Sequence, residues 1–222
     1  MTPNFELAMN VFNQALEYIE CAGLTSEVDW QRSRCFTEFN ERDFLKEAAW
    51  VILCSGFKEA IIRRSFDHIS LSFCDWESAA SIVHSAAVCK MTALESFGNV
   101  RKIEAIINVA RRVNDEGFDS IKAKVLKAPI IELQTLPFIG PITSWHLAKN
   151  LGLCIAKPDR HLLKLSKWLG YGEDVQKLCV AIAESTGELV NVVDIVLWRY
   201  VADQNPRDAT DTKYIQLAGT QY

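Results

Sequence analysis

No stretch of this sequence reaches the roughly 18 uninterrupted apolar residues that a membrane-crossing helix needs. The amino terminus, Met1-Thr2-Pro3-Asn4-Phe5, also lacks the basic segment followed by an apolar one that marks an export signal. A cytoplasmic protein with no membrane partner is therefore expected. Seven cysteines, at 21, 35, 54, 74, 89, 154 and 179, form no C-x-x-C pair, and their odd count and wide spacing argue for reduced, mostly buried thiols rather than a disulfide framework. His146 and His161 are too few, and too poorly spaced from cysteine, to suggest zinc, so no metal site is expected. No repeat, low-complexity tract or strand-length alternation appears, which leaves an all-α reading.

A chain of 222 residues, 49% hydrophobic and 23% charged, suits one or two globular domains and gives no indication of disorder. The net charge of −4 is unpromising for a nucleic-acid binder. Its distribution points the other way, because Lys and Arg are in excess over residues 99–170 while the acidic excess lies in residues 1–50 and 171–222.

Thr2-Pro3-Asn4 reads as a helix start, followed by Phe5, Met9, Phe12, Leu16 and Ile19 at helical spacing and a stop near Gly23. From Leu24 to Phe39 the periodicity fails, and Trp30, Arg32, Arg34 and Phe36 are expected in a loop. Asn40 to Asp43 reads as a cap for a largely apolar helix over Phe44 to Phe57. Ala60 to Phe73 and Trp76 to Cys89 continue as helices joined at Cys74-Asp75, with Asp75 capping the second. Val100, Ile103, Ile106, Ile107, Ala110 and Val113 make one apolar helix face, and Asp119 to Leu126 a shorter helix. Residues 174–186 and 188–202 read as the last helices, and Asn205-Pro206-Arg207-Asp208 as the start of a polar tail.

Between these patterns lies Leu136-Pro137-Phe138-Ile139-Gly140, a tight turn in which Pro137 restricts its neighbour and Gly140 is expected to take a positive φ. Thr143 opens the next helix, and such an entrance leaves backbone N–H groups unpaired and suited to a phosphate. Further on, Pro158-Asp159-Arg160-His161 opens a helix with Leu162, Leu163, Leu165, Trp168 and Leu169 on its apolar face. Asp159 fits an ordinary N-cap, and it equally fits a carboxylate held at a helix entrance for chemistry.

The turn at Leu136 to Gly140 followed by Pro158-Asp159 resembles the helix-hairpin-helix and catalytic aspartate of the endonuclease III superfamily of DNA glycosylases. The likeness is strongest over Phe97 to Gly170 and extends from about Leu45 to Val201. In that family the hairpin is written L-P-G-V-G, so Phe138 replaces its first glycine. The resemblance implies an all-α, two-domain fold with a cleft between the domains. One domain, residues 45–153, would have six helices and contain the hairpin, and residues 1–44 with 154–222 would form the other. It implies double-stranded DNA carrying a damaged or modified base as partner, a monomeric protein, and Asp159 as the catalytic carboxylate.

DNA-contacting candidates on the same basis are Leu136, Pro137, Phe138, Ile139, Gly140 and Thr143, with Lys149, Lys157 and Arg160 as phosphate-binding cations or simply a solvated face. Relatives carry L-S-Q-Q-T where this chain has Leu53-Cys54-Ser55-Gly56-Phe57, which nominates Ser55, Gly56 and Phe57, together with Trp50 and Trp145, as base-pocket residues or as packing. Bifunctional relatives form an imine through a lysine at the position of Ile142, so hydrolysis without lyase chemistry is expected. Several relatives hold an iron–sulfur cluster on four cysteines beyond the aspartate, whereas here only Cys179 lies there, so no cofactor is expected. A carboxylate near the sugar would stabilise the positive charge that develops as the base leaves, and Asp159 is expected to be ionised for this task. The alternatives are an antiviral glycosylase removing bulky modified cytosines, and a DNA-binding protein that kept the hairpin without the chemistry.

Overall fold

The computed structural model describes residues 2–203, which form helices and no strand. The polar tail expected from Asn205 lies outside the described residues. In chain order the helices are α1 (Phe5–Cys21), α2 (Thr25–Ser33), α3 (Glu41–Cys54), α4 (Glu59–Ser72), α5 (Ala79–His84), α6 (Ala86–Ser96), α7 (Val100–Glu116), α8 (Phe118–Lys127), α9 (Pro129–Leu133), α10 (Thr143–Asn150), α11 (Arg160–Trp168), α12 (Val175–Thr186) and α13 (Val190–Asp203). Among the described residues no helix is long and apolar enough to cross a membrane.

The chain divides into two compact units. The first comprises residues 1–34 and 152–222, and its described part contains α1, α2 and α11 to α13. Asn4 caps α1 by accepting the Leu7 N–H at 3.0 Å, and Ala8, Val11, Phe12, Ala15 and Ile19 then bury one stripe. That stripe shares a core with Leu162 and Leu165 of α11, Leu178 and Ile182 of α12, and Val192, Val196 and Leu197 of α13. Truncating Leu162 or Leu165 to alanine in such a core costs about 2–5 kcal/mol. Gly170 ends α11 with φ 82°, and a Cβ there would stand 2.3 Å from the Thr2 carbonyl, so only glycine lets the two segments approach.

The second unit, residues 35–151, contains α3 to α10. Residues 35–44 belong to it, so the division falls at Arg34–Cys35 rather than at 44–45. Phe39 is 1% exposed and stacks on Phe44 at 6.2 Å and edge-on to Phe118 at 6.0 Å, which fixes this segment to the second core. The expected cap of α3 is present, with Asn40 and Asp43 each accepting the other's backbone N–H.

Four local expectations are corrected. The segment expected as a loop contains α2, although only Val28 and Gln31 of that helix are buried. The single helix expected over Trp76 to Cys89 is a 3-10 turn at Cys74–Trp76 followed by α5 and α6, which meet at Ser85. Ser78, not Asp75, caps α5, its hydroxyl accepting the Ser81 N–H at 3.1 Å. The cysteines are free, but only Cys89 and Cys179 are buried, and Cys21, Cys35 and Cys154 are exposed.

Candidate functional site

The hairpin is held from within the second unit. Leu136 and Ile139 are buried and anchor the turn, while Phe138 between them is 39% exposed. The positive φ falls on Phe138, at 62°, and not on Gly140 as expected. A Cβ built on Gly140 would meet nothing nearer than the Thr143 Oγ1 at 4.0 Å. The turn's donors are also less available than the sequence suggested. Ile139 donates its N–H to the Leu136 carbonyl at 3.2 Å, and Gly140 donates to Thr143 Oγ1 at 2.6 Å. Thr143 is therefore a staple between turn and helix, and the Ser144 N–H is likewise returned to the Gly140 carbonyl at 2.9 Å.

Lys149 is corrected outright: it is 4% exposed, on a stretch of α10 where Leu147, Ala148 and Asn150 are buried too. Asn150 donates to Glu47 of α3 at 2.9 Å in the same buried layer. A side chain so placed belongs to the packing of α10, not to a cationic surface. Trp50 lies in an aromatic cluster. It meets Phe66 edge-on at 4.9 Å with the Arg63 guanidinium 5.7 Å from its ring, and Phe66 in turn stacks on Trp76. This is a packing cluster of α3 and α4. Trp145 is half-buried on α10.

Sequence reasoning missed Lys102, which joins two of the predicted features. Helix α3 ends with four carbonyls to satisfy. Val51 accepts from Ser55 and Cys54 from Phe57, and the carbonyls of Ile52 and Leu53 are taken by the Lys102 ammonium. The same ammonium donates to the Ser55 carbonyl at 2.6 Å. It is 3% exposed, and burial lowers its pKa to about 8, against a smaller opposing pull from Cys54. It also lies 5.2 Å from the Phe57 ring and 5.3 Å from the Phe138 ring, and the neighbouring Arg101 lies 5.9 Å from Phe138. Phe57 further meets Phe97 edge-on at 5.2 Å. One buried cation thus brings Ser55, Gly56 and Phe57 together with the hairpin. The periodicity held a signal for it, since 102, 106, 109 and 113 lie on one buried face of α7.

Asp159 belongs to the first unit. The segment leading to it is irregular and pinned by side chains from two helices: Ala156 donates its N–H to Gln176 at 2.8 Å, and Lys157 donates its N–H to Asp194 at 2.6 Å. Asp194, 1% exposed on α13, thus fixes the backbone two residues before Asp159. Asp159 caps α11, its Oδ1 accepting from the N–H groups of His161 and Leu162 at 2.9 and 3.1 Å. Its Oδ2 stands 3.7 Å from the Lys157 ammonium, and the side chain is 12% exposed.

The His161 ring lies edge-on to Trp198 and accepts from Arg160 Nε at 3.2 Å. Burial lowers its pKa against the opposing pull of Asp159, while Arg160, Lys164 and Lys157 lower it further. Arg160 is exposed. The arrangement offers one carboxylate oxygen committed to the helix and a second beside a cation, which suits electrostatic stabilisation of a nearby positive charge.

No family model matches the chain, and no curated protein matches it. Solved structures do. The crystal structure of the 8-oxoguanine DNA glycosylase of Thermotoga maritima is 19% identical, with 87% of this chain and 97% of that one covered at a TM-score of 0.59. The 8-oxoguanine glycosylase/lyase of Methanocaldococcus jannaschii, solved with a 15mer DNA containing 8-oxoguanine, is 16% identical, with 87% and 98% covered at a TM-score of 0.56. This chain shares the all-α fold of these two glycosylase structures.

Proposed function

We propose that the protein is a monofunctional DNA glycosylase that hydrolyses the N-glycosidic bond of a damaged or modified base flipped out of duplex DNA and leaves an abasic site. The observation that carries this reading is Asp159, seated at the N-terminus of α11 with Oδ2 beside Lys157, in a chain with this fold. As the bond from sugar to base lengthens, positive charge grows on the sugar, and Oδ2 stabilises it and orients the attacking water. Lys157 pairs with that carboxylate at 3.7 Å, and the exposed Arg160 is the candidate for a phosphate contact. The amine an imine would need is missing at Ile142, which is 42% exposed.

A small damaged base is the preferred substrate. 8-Oxoguanine is the first to test, since both similar structures are of glycosylases for it. A second reading, removal of bulky modified cytosines, is favoured by Gly56, exposed at φ 76° with nothing within 4 Å of a Cβ built there. The test is incubation with duplexes carrying oxidised, alkylated, deaminated or bulky modified bases, followed by alkali to reveal abasic sites. Asp159→Asn should lower base release by at least about 10²-fold while duplex binding changes by less than about threefold, because the carboxylate acts mainly in the transition state. An Asp159→Asn protein that still releases base at the parent rate would refute the assignment.

A further inference from the structure

Phe138 is a conformational outlier without a packing reason. Its φ of 62° is one that glycine takes freely and an aromatic residue rarely does, yet its ring is 39% exposed rather than buried in compensation. Strain kept at an exposed position points to a contact made outside the molecule. Its surroundings indicate the chemistry of that contact. Arg101, exposed, and Lys102, buried and held by three carbonyls, both lie within 6 Å of the ring centroid at 5.9 and 5.3 Å. Phe57, 41% exposed, shares the Lys102 ammonium. The turn's own N–H groups at Ile139 and Gly140 are meanwhile occupied internally, so the tip of this hairpin presents an aromatic face and a guanidinium where an open backbone cradle was expected.

We infer that Phe138 is a base-stacking residue that, with Arg101 on the adjoining phosphate, recognises locally unstacked DNA. This rests on the glycosylase reading, because flipping a nucleotide opens the step on which such a ring can stack. Lys102 sets the position of the ring from below, and Phe57 offers a second aromatic face beside it. Stacking on an aromatic is tolerant of base identity and strong enough to be seen as about a tenfold change in affinity. The preference should therefore be for distortion rather than for sequence.

The test uses the full-length Asp159→Asn protein, so that turnover does not remove the probe. Fluorescence anisotropy is read on one labelled duplex in two forms, fully paired and with a single central mismatch. Phe138→Leu should weaken binding to the mismatched form by about tenfold and to the paired form by much less, with an unchanged melting temperature, and Phe138→Tyr should stay within about twofold of the parent. Arg101→Gln should weaken both forms and reduce the slope of log affinity against log salt by about one. Equal loss on both duplexes, no loss at all, or a lowered melting temperature in Phe138→Leu would overturn the stacking role. A parent that bound neither duplex would overturn the glycosylase reading itself, whereas a parent that binds while Phe138→Leu matches it would overturn this inference alone.

Discussion

Replacing Lys102 by methionine keeps the length of the side chain and removes only its ammonium. Three carbonyls then lose a charged donor: those of Ile52 and Leu53 in the buried end of α3, and that of Ser55, which is partly open to water. Two buried carbonyls left unpaired cost about 1–3 kcal/mol each, and the relief of no longer burying a charge offsets part of this, so a net loss of about 2–4 kcal/mol is expected at pH 7. The second unit should bear the loss, which makes hydrogen exchange of the α3 amides during denaturation the right assay, since a single melting curve would blend two units.

The pH dependence provides an independent check. The folded-state pKa of Lys102, about 8, lies below its unfolded value of 10.5, so between these limits the unfolded chain holds more protons and stability rises with pH. The methionine variant lacks that rise, and the gap between the two proteins should widen from pH 7 to pH 9.5. A variant as stable as the parent, or a gap that narrows over this range, would refute the claim that these carbonyls depend on Lys102.

Asp194→Ala should lower the rate of base release by tenfold or more with little change in duplex affinity, because the Lys157 N–H loses its partner and the segment carrying Asp159 loosens. Asp194→Asn, which can still accept that N–H, should recover most of the rate, and failure of the rescue in a single-turnover assay would mean that Asp194 acts by its charge. Borohydride added during turnover should trap no covalent protein–DNA adduct. An adduct lost in Lys157→Gln would assign lyase chemistry to Lys157 and remove the monofunctional reading.

The architecture was legible because most helices carry their own boundaries. Asn4, Asn40 and Asn99 each accept an N–H from the following turn, and α7 shows its apolar face in the spacing of residues 100 to 113. Helix α2 was not legible, since its stability is tertiary: Arg32 bridges Asp29 and Glu188, and Arg199 of α13 reaches Glu27. The break between α5 and α6 escaped because Ser85-Ala86-Ala87 contains no strong breaker, and all three residues suit a continuous helix. At the hairpin the backbone conformation was not legible. A glycine invites the assignment of the positive φ, and a chain that puts it on a phenylalanine gives no local sign of doing so.

The two readings of Asp159 left open by the sequence are compatible in the folded chain, because a carboxylate has two oxygens. Oδ1 meets the demand of α11 for a cap and accepts two backbone N–H groups, while Oδ2 faces Lys157 and makes no helix contact. The cap is what fixes the side-chain torsions, so the geometry of Oδ2 is set before any substrate arrives. This also separates the roles experimentally. Asp159→Asn retains an oxygen that can cap and removes the negative charge, whereas Asp159→Ala removes both. The asparagine variant should therefore keep nearly the parent's stability, and the alanine variant should lose about 1 kcal/mol, while both lose base release to a similar extent. If asparagine were as destabilising as alanine, the charge on Oδ2 would be holding the helix entrance together through Lys157, and the carboxylate would be a structural ion pair first.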